Sequence, residues 1–217
     1  MNNVSVIIPA YNEEKTIGQV IDRIKQSKVQ SEIIVVNNCS TDNTAKIAKQ
    51  KGAKVVDCNS RGKGYAMEEG LKHINGDIIV FVDGDLGIYS NDIVAVMTEP
   101  IINNNIDFTK SAFEREGGRV TELVAKPLLE LLFPEQSKFQ QPLSGIIAGR
   151  TEYFKKIELE KDYGVDIGIL IDMVKIGAKI EEIYIGRIDN NSQSWQSLSK
   201  MAKEVASAIL KRANVIN

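Results

Sequence analysis

The sequence predicts an α/β protein with a mostly parallel sheet flanked by helices. Three observations carry this expectation. Short, nearly continuous apolar runs recur along the first half, as in residues 4–8 and 78–82. Strands buried on both faces read this way. Between them lie segments with apolar residues at helical spacing, such as Ile17, Val20, Ile21 and Ile24. Polar motifs follow the apolar runs at residues 9–13, 37–42 and 83–85, where open parallel sheets bind ligands at the carboxyl ends of their strands.

Taken in order, residues 4–8 read as a strand, 13–26 as a helix and 32–36 as a second strand. Residues 42–50 read as a helix, 53–56 as a third strand, 64–74 as a helix and 77–82 as a fourth strand. Right-handed crossovers between such strands give a doubly wound, nucleotide-binding half. In the second half, 106–110 reads as a strand and 120–133 as a helix that ends before Pro134. Residues 143–148 read as a strand beside a pocket, 165–176 as a buried helix stopped by Gly177, 180–185 as a strand and 195–212 as a C-terminal helix. No repeat, low-complexity tract or linker divides the chain, so one domain over residues 1–217 is expected, with halves 1–111 and 112–217.

Composition removes several function classes. The chain has 217 residues, 43% of them hydrophobic, which suffices for a sizeable core. Lys and Arg number 27 against 29 Asp and Glu, for a net charge of −2. That balance argues against a bulk nucleic-acid binder. No apolar run reaches the length of about 20 residues that a spanning helix needs, and the N-terminus runs into a strand without a signal-peptide pattern. Cys39 and Cys58 make no disulfide framework, and the single His73 cannot build a zinc site with them. A soluble, cytoplasmic protein is expected.

Asp83-Gly84-Asp85 is the sharpest motif. Two carboxylates one residue apart, where a buried strand surfaces, raise each other's cost of ionising. A divalent cation relieves that repulsion, and hard oxygen ligands suit Mg²⁺ or Mn²⁺ completed by water and substrate phosphates. The plain alternative is Asp-Gly turn chemistry. Pro9-Ala10-Tyr11-Asn12-Glu13 ends the first strand and offers free N–H groups to a ligand, with simple helix capping as its alternative. Asn37 to Thr44, including Asn38 and Ser40, caps the next helix and can also face a base or ribose.

Arg61-Gly62-Lys63-Gly64 brings backbone and one cation close to a phosphate, although the Walker A spacing is absent. Its alternative is a solvated basic turn. In the stretch from Arg115 to Glu122, a Gly-Gly pair opens a helix whose first turn holds Arg119 and Thr121, a second candidate for anion binding. Gln140 to Gly145 and Ala148-Gly149-Arg150 frame a floor for the site, with Leu143, Ser144 and Gly145 as lining candidates. Tyr163-Gly164-Val165-Asp166 sets a carboxylate at a helix start, where pairing with the helix dipole is the alternative. The polar loop from Gly186 to Asn191 can close over a ligand or serve as ordinary surface.

With these residues in view, the chain resembles the GT-A, family-2-like glycosyltransferases. Val6 to Glu14 resembles their opening strand, and Asp83-Gly84-Asp85 their metal-binding element. Residues 117–128, Arg61 to Gly64, Gln141 to Gly145 and Tyr163 to Gly168 narrow the likeness to the retaining glucosyl-3-phosphoglycerate synthases and their mannosyl relatives. The resemblance covers nearly the whole chain. It implies a nucleoside-diphosphate glucose donor, Mg²⁺ or Mn²⁺, and 3-phosphoglycerate as acceptor, with a donor half before an acceptor half. Pro9, Ala10, Tyr11, Glu13, Asn38, Ser40, Lys63, Asp83 and Gly84 are then expected at the nucleotide. Asp85, with Asp83 and Asn190, is expected at the metal. Gly118, Arg119, Thr121, Leu143, Ser144, Gly145 and Asn191 are expected at the acceptor or sugar, with Asp166, Lys63 and Arg119 carrying the reaction. Where the family usually places His and Glu, this chain has Asn190 and Asp166.

The expected activity is transfer of a hexose, glucose in the first reading, to a small phosphorylated acceptor with retention. Neither nucleic acid nor stable membrane insertion is expected, and a homodimer is one assembly the reading admits. Two alternatives stay open at this point: another acceptor, such as a lipid phosphate or a different phosphorylated acid, or a non-catalytic sugar-nucleotide binding module.

Overall fold

A computed structural model describes residues 3–85, 92–115, 118–188 and 194–216. Four strands form the first part of one sheet: β1 (Val4–Ala10), β2 (Ser31–Asn38), β3 (Lys54–Cys58) and β4 (Ile78–Phe81). They pair in parallel in the order β3-β2-β1-β4. Their β-branched runs suit a pleated surface buried on both sides. Alternate residues serve opposite faces. Val4, Val6 and Ile8 point with Val80 into one core, and Ile7 points with Ile79 and Phe81 into another.

The connecting helices are α1 (Ile17–Lys25), α2 (Thr44–Gln50) and α3 (Lys63–Leu71). The stripe of Ile17, Val20, Ile21 and Ile24 is buried, as its spacing predicts. The first helix begins four residues later than expected, because Asn12 takes a left-handed backbone (φ 56°) and residues 13–16 form a turn.

The second part departs further from the local patterns. β5 (Phe108–Glu114) and β7 (Ile180–Arg187) are parallel to each other, and β6 (Ile147–Arg150) lies antiparallel between β4 and β5. The seven-stranded order is β3-β2-β1-β4-β6-β5-β7. The strand expected over 143–148 therefore starts four residues later. Residues 143–146 instead form a mostly buried lead-in that delivers Ser144 and Gly145 to the site.

Two further helices interrupt regions given no element from sequence: α4 (Ile93–Asn103), capped by the Asp92 side chain, and the short α6 (Thr151–Phe154). The helix expected over 120–133 resolves into a wide π-turn, Thr121–Ala125, followed by α5 (Lys126–Leu132). Pro127, second in α5, has no N–H for the carbonyl four residues back. The Lys126 N–H donates five residues back, to the Thr121 carbonyl. α7 (Val165–Lys175) and α8 (Trp195–Arg212) complete the fold and pack with the π-turn around Ile167, Leu170, Val205 and Ile209. Among the described residues no helix is long and apolar enough to cross a membrane.

Candidate active site

The carboxyl ends of β1, β2 and β4 are laced together. The Asn12 and Glu13 N–H groups donate to the Ser40 and Thr44 hydroxyls at 3.1 and 2.7 Å. The Thr41 N–H donates to Asn12 Oδ1 at 2.8 Å, and the Thr16 hydroxyl donates to the Gly84 carbonyl at 2.8 Å. The loops after these strands therefore stand in one fixed arrangement. Pro9, Ala10 and Tyr11 edge it, and the Arg61 guanidinium lies 4.1 Å from the centre of the Tyr11 ring. Asn38 is turned inward. Its amide donates to the Ser60 carbonyl at 2.6 Å and accepts the Gly62 N–H at 2.8 Å, so it shapes the loop that carries Lys63.

Lys63 is the hub. Its Nζ lies 2.8 Å from Asp83 Oδ1 and 2.8 Å from Asp166 Oδ2. These residues come from α3, the end of β4 and the start of α7, elements up to 103 positions apart. Burial alone would lower the lysine's pKa, but attraction to Asp166 and Asp83 outweighs it and raises the value. One ammonium shared by two carboxylates leaves Asp166 incompletely compensated. Its burial, with repulsion from Asp83, holds its pKa above the ordinary range. Asp166 Oδ1 is buried with no hydrogen-bond partner in the protein.

Glycines make this cluster possible. A Cβ on Gly145 would strike Lys63 Nζ and sit 2.6 Å from both Asp83 oxygens. Cβ atoms on Gly62 and Gly64 would collide with the Lys161 and Glu160 carbonyls. The Tyr65 N–H also donates to the Lys161 carbonyl at 3.1 Å. The Gly62-Lys63-Gly64 turn thus rests directly on the backbone that leads to Asp166.

Asp85 lies at the solvent edge of the same cleft. Removal of its carboxyl from water and repulsion from Asp83 raise its pKa. Glu13, held over the same edge, is pushed up to about 7 by burial and by Asp85. Glu13 and Asp85 thus repel each other and Asp83 along this edge, while Lys63 is paired to Asp83 and Asp166. Among the described residues no cluster of three or more His, Cys, Asp or Glu could enclose a metal by itself. The donor set, one or two carboxylates at an open cleft, fits a Mg²⁺-type ion completed by substrate phosphate, and the raised carboxyls mark where positive charge is wanted. Asn190 and Asn191 lie outside the described residues.

The start of the π-turn, the expected acceptor wall, packs against α7 next to Asp166, with Val120 and Ile167 in one core. Gly118 (φ 76°) lets the Arg115 guanidinium pass, since a Cβ there would lie 2.9 Å from Arg115 Nε. Arg115 donates to the Thr121 hydroxyl, which is buried. Arg119 is exposed at the helix start. Ser144 turns into the protein, its hydroxyl paired with that of Ser111 and accepting the Ile146 N–H. Leu143 packs partly buried against the third core, and Gly145 alone of this trio touches the charge cluster.

Sequence reasoning passed over Lys110. It is fully buried, and its Nζ donates to the Ser144 carbonyl at 2.8 Å, with the Asp166 carbonyl 3.4 Å away. Burial lowers its pKa to about 8, against the pull of Asp166. A lysine inside an apolar strand was the available signal, since lysine is almost never fully buried unless paired.

The chain is similar to known proteins in sequence and in fold. The glycosyl transferase family 2 model matches residues 5–157. A glucosyl-3-phosphoglycerate synthase from Petrotoga mobilis is 37% identical over 96% of this chain and 73% of its own length. The crystal structure of glucosyl-3-phosphoglycerate synthase from Mycobacterium tuberculosis with Mn²⁺, UDP-glucose and phosphoglyceric acid superposes with a TM-score of 0.93. It is 35% identical over 100% of this chain and 81% of its own. A structure of the same enzyme with Mg²⁺ and UDP gives the same score, identity and coverage.

Proposed function

Because the chain belongs to glycosyl transferase family 2, we propose that it transfers glucose from UDP-glucose to 3-phosphoglycerate with retention at the anomeric carbon. The observation that carries this reading is the Asp83–Lys63–Asp166 cluster at the end of β4; the helix start that bears Arg119 packs beside it against α7, through Val120 and Ile167. Its support is the close fold likeness to an enzyme solved with that donor and acceptor.

Asp85 and Asp83, with Asn190 beyond the described residues, would hold a divalent cation. Bound there, it supplies charge neutralisation for a diphosphate leaving group. Lys63 adds a fixed positive charge where that group develops negative charge. The N–H groups at the helix start and the Arg119 fork grip the acceptor's phosphate or carboxylate. That grip holds its hydroxyl near the anomeric carbon. Asp166 acts through Lys63, whose ammonium its Oδ2 holds in place. Retention is read as attack on the face the leaving group vacates, with the acceptor hydroxyl forming the new glycosidic bond as the bond to the diphosphate breaks and the departing phosphate oxygen takes the proton. The same reading extends to a cytoplasmic enzyme without a nucleic-acid partner, in keeping with its net charge of −2.

The test is incubation with UDP-glucose or GDP-mannose, Mg²⁺ and 3-phosphoglycerate, followed by product analysis. Glucosyl-3-phosphoglycerate from UDP-glucose is expected, with loss of turnover in Asp85→Ala. UDP-glucose turnover only with a different phosphorylated acid would replace the acceptor. Nucleotide binding without turnover on any acceptor would leave a binding module.

A further inference from the structure

Arg119 has a companion that no site motif contains. Its guanidinium carbon lies 4.9 Å from the centre of the Trp195 ring. Trp195 is the only tryptophan in the chain, and it is 73% exposed at the first position of α8. An indole left so far in water gains little from burial. Its defined contribution is the cation over its face. Among the described residues no carboxylate pairs with Arg119, so the indole is its one defined partner there.

Both sides of the contact are firmly based. Ser194 caps α8, its hydroxyl accepting the Ser197 N–H at 3.2 Å. The helix start that carries Arg119 and the body of α8 share one core, through Val120, Ala125, Val205 and Ala208. Arg115, the other arginine of this wall, is already committed to Thr121. Arg119 is therefore the cation left to meet a ligand, and its long side chain needs a support to hold one direction. A flat indole face gives that support while leaving the N–H fork open, because stacking uses the guanidinium plane and hydrogen bonding uses its edge.

We propose that Trp195 is an acceptor-positioning residue: it holds the Arg119 guanidinium by its face so that the edge receives the anionic group of a small phosphorylated acid. This rests on the assignment of the Gly118–Thr121 wall to the acceptor.

The single tryptophan makes the test direct. 3-Phosphoglycerate is titrated into the full chain with UDP and Mg²⁺ present while tryptophan emission is recorded, and steady-state kinetics are run on Trp195→Ala and Trp195→Phe. A saturable emission change is expected over the range of the acceptor KM. Trp195→Ala should raise that KM about three- to tenfold, with kcat, the UDP-glucose KM and the melting temperature unchanged, and Trp195→Phe should recover most of the loss. A protein that turns over while its emission stays silent, or an alanine variant with an acceptor KM within twofold of the parent, overturns this inference alone. Absence of both turnover and emission response overturns the acceptor assignment with it.

Discussion

Replacing Lys63 with Met isolates the electrostatics at the centre of the cleft. The side chains are of similar length, so the main change is loss of one ammonium that lies 2.8 Å from both Asp83 and Asp166. Asp166 is the less able to recover, because its side chain is only 8% exposed. Removing one partner of a buried ion pair costs about 3–5 kcal/mol. The variant has one escape, which is to protonate Asp166. From an ordinary carboxyl value of 3.8, protonation at pH 7 costs about 4 kcal/mol, at 1.36 kcal/mol per unit. Both routes lead to a loss of about 3–4 kcal/mol at pH 7 in chelated protein.

The pH dependence has a definite sign. Without Lys63, Asp166 titrates further above its unfolded value than in the parent. The native variant then binds more protons than its unfolded chain, and its stability falls as pH rises through that window. The gap between parent and variant should shrink to about 1.5–2 kcal/mol at pH 5, where protonation is cheaper. Urea unfolding of both proteins at pH 5 and 7 measures it. A loss below about 1 kcal/mol at pH 7, or the same loss at both pH values, would refute the reasoning.

Gly145→Ala drives a methyl into Lys63 and Asp83; kcat should fall about 10²-fold, since displacements of 1 Å at a site have that effect, and a crystal structure should show Lys63 moved. Glu13 sits at about 7 in the fold against an ordinary 4.5, so the metal-free protein loses stability as pH rises between those values. Glu13→Gln should flatten that part of a melting-temperature profile, and saturating Mg²⁺ should flatten it in the parent. Arg212 binds Asp172 and Glu160 together at 2.7 Å each; Arg212→Met should cost about 3 kcal/mol in urea unfolding, with the UDP-glucose KM unchanged.

The first four strands were legible because burial on both faces leaves one local signature, an unbroken apolar run. The Asp83–Asp85 pair was legible because its charge density demands a partner at any strand end. β6 was legible as a strand near residues 143–148 but not in its place, since its antiparallel position between β4 and β5 depends on pairing across the sheet that no local pattern encodes. α4 carries Pro100 in its interior, which reads as a breaker. Asn38 and Ser144 look like ligand contacts in sequence, yet their polar groups are used to build the loops beneath the site. Lys110 and the Arg119–Trp195 stack depend on chain segments dozens of residues apart, and such meetings are settled by topology.

The backbone seam beneath Gly62 and Gly64 has a consequence for engineering. Carbonyls of Glu160 and Lys161 occupy the space that side chains would take, so the Gly62–Gly64 turn and the segment leading to Asp166 interlock at main-chain distance. Any side chain at Gly62 or Gly64 would force this seam open. A chimera that joins the first half of this chain to the second half of a relative must carry residues 160–166 together with residues 61–65, or the backbone beneath Lys63 and Asp166 will not fit.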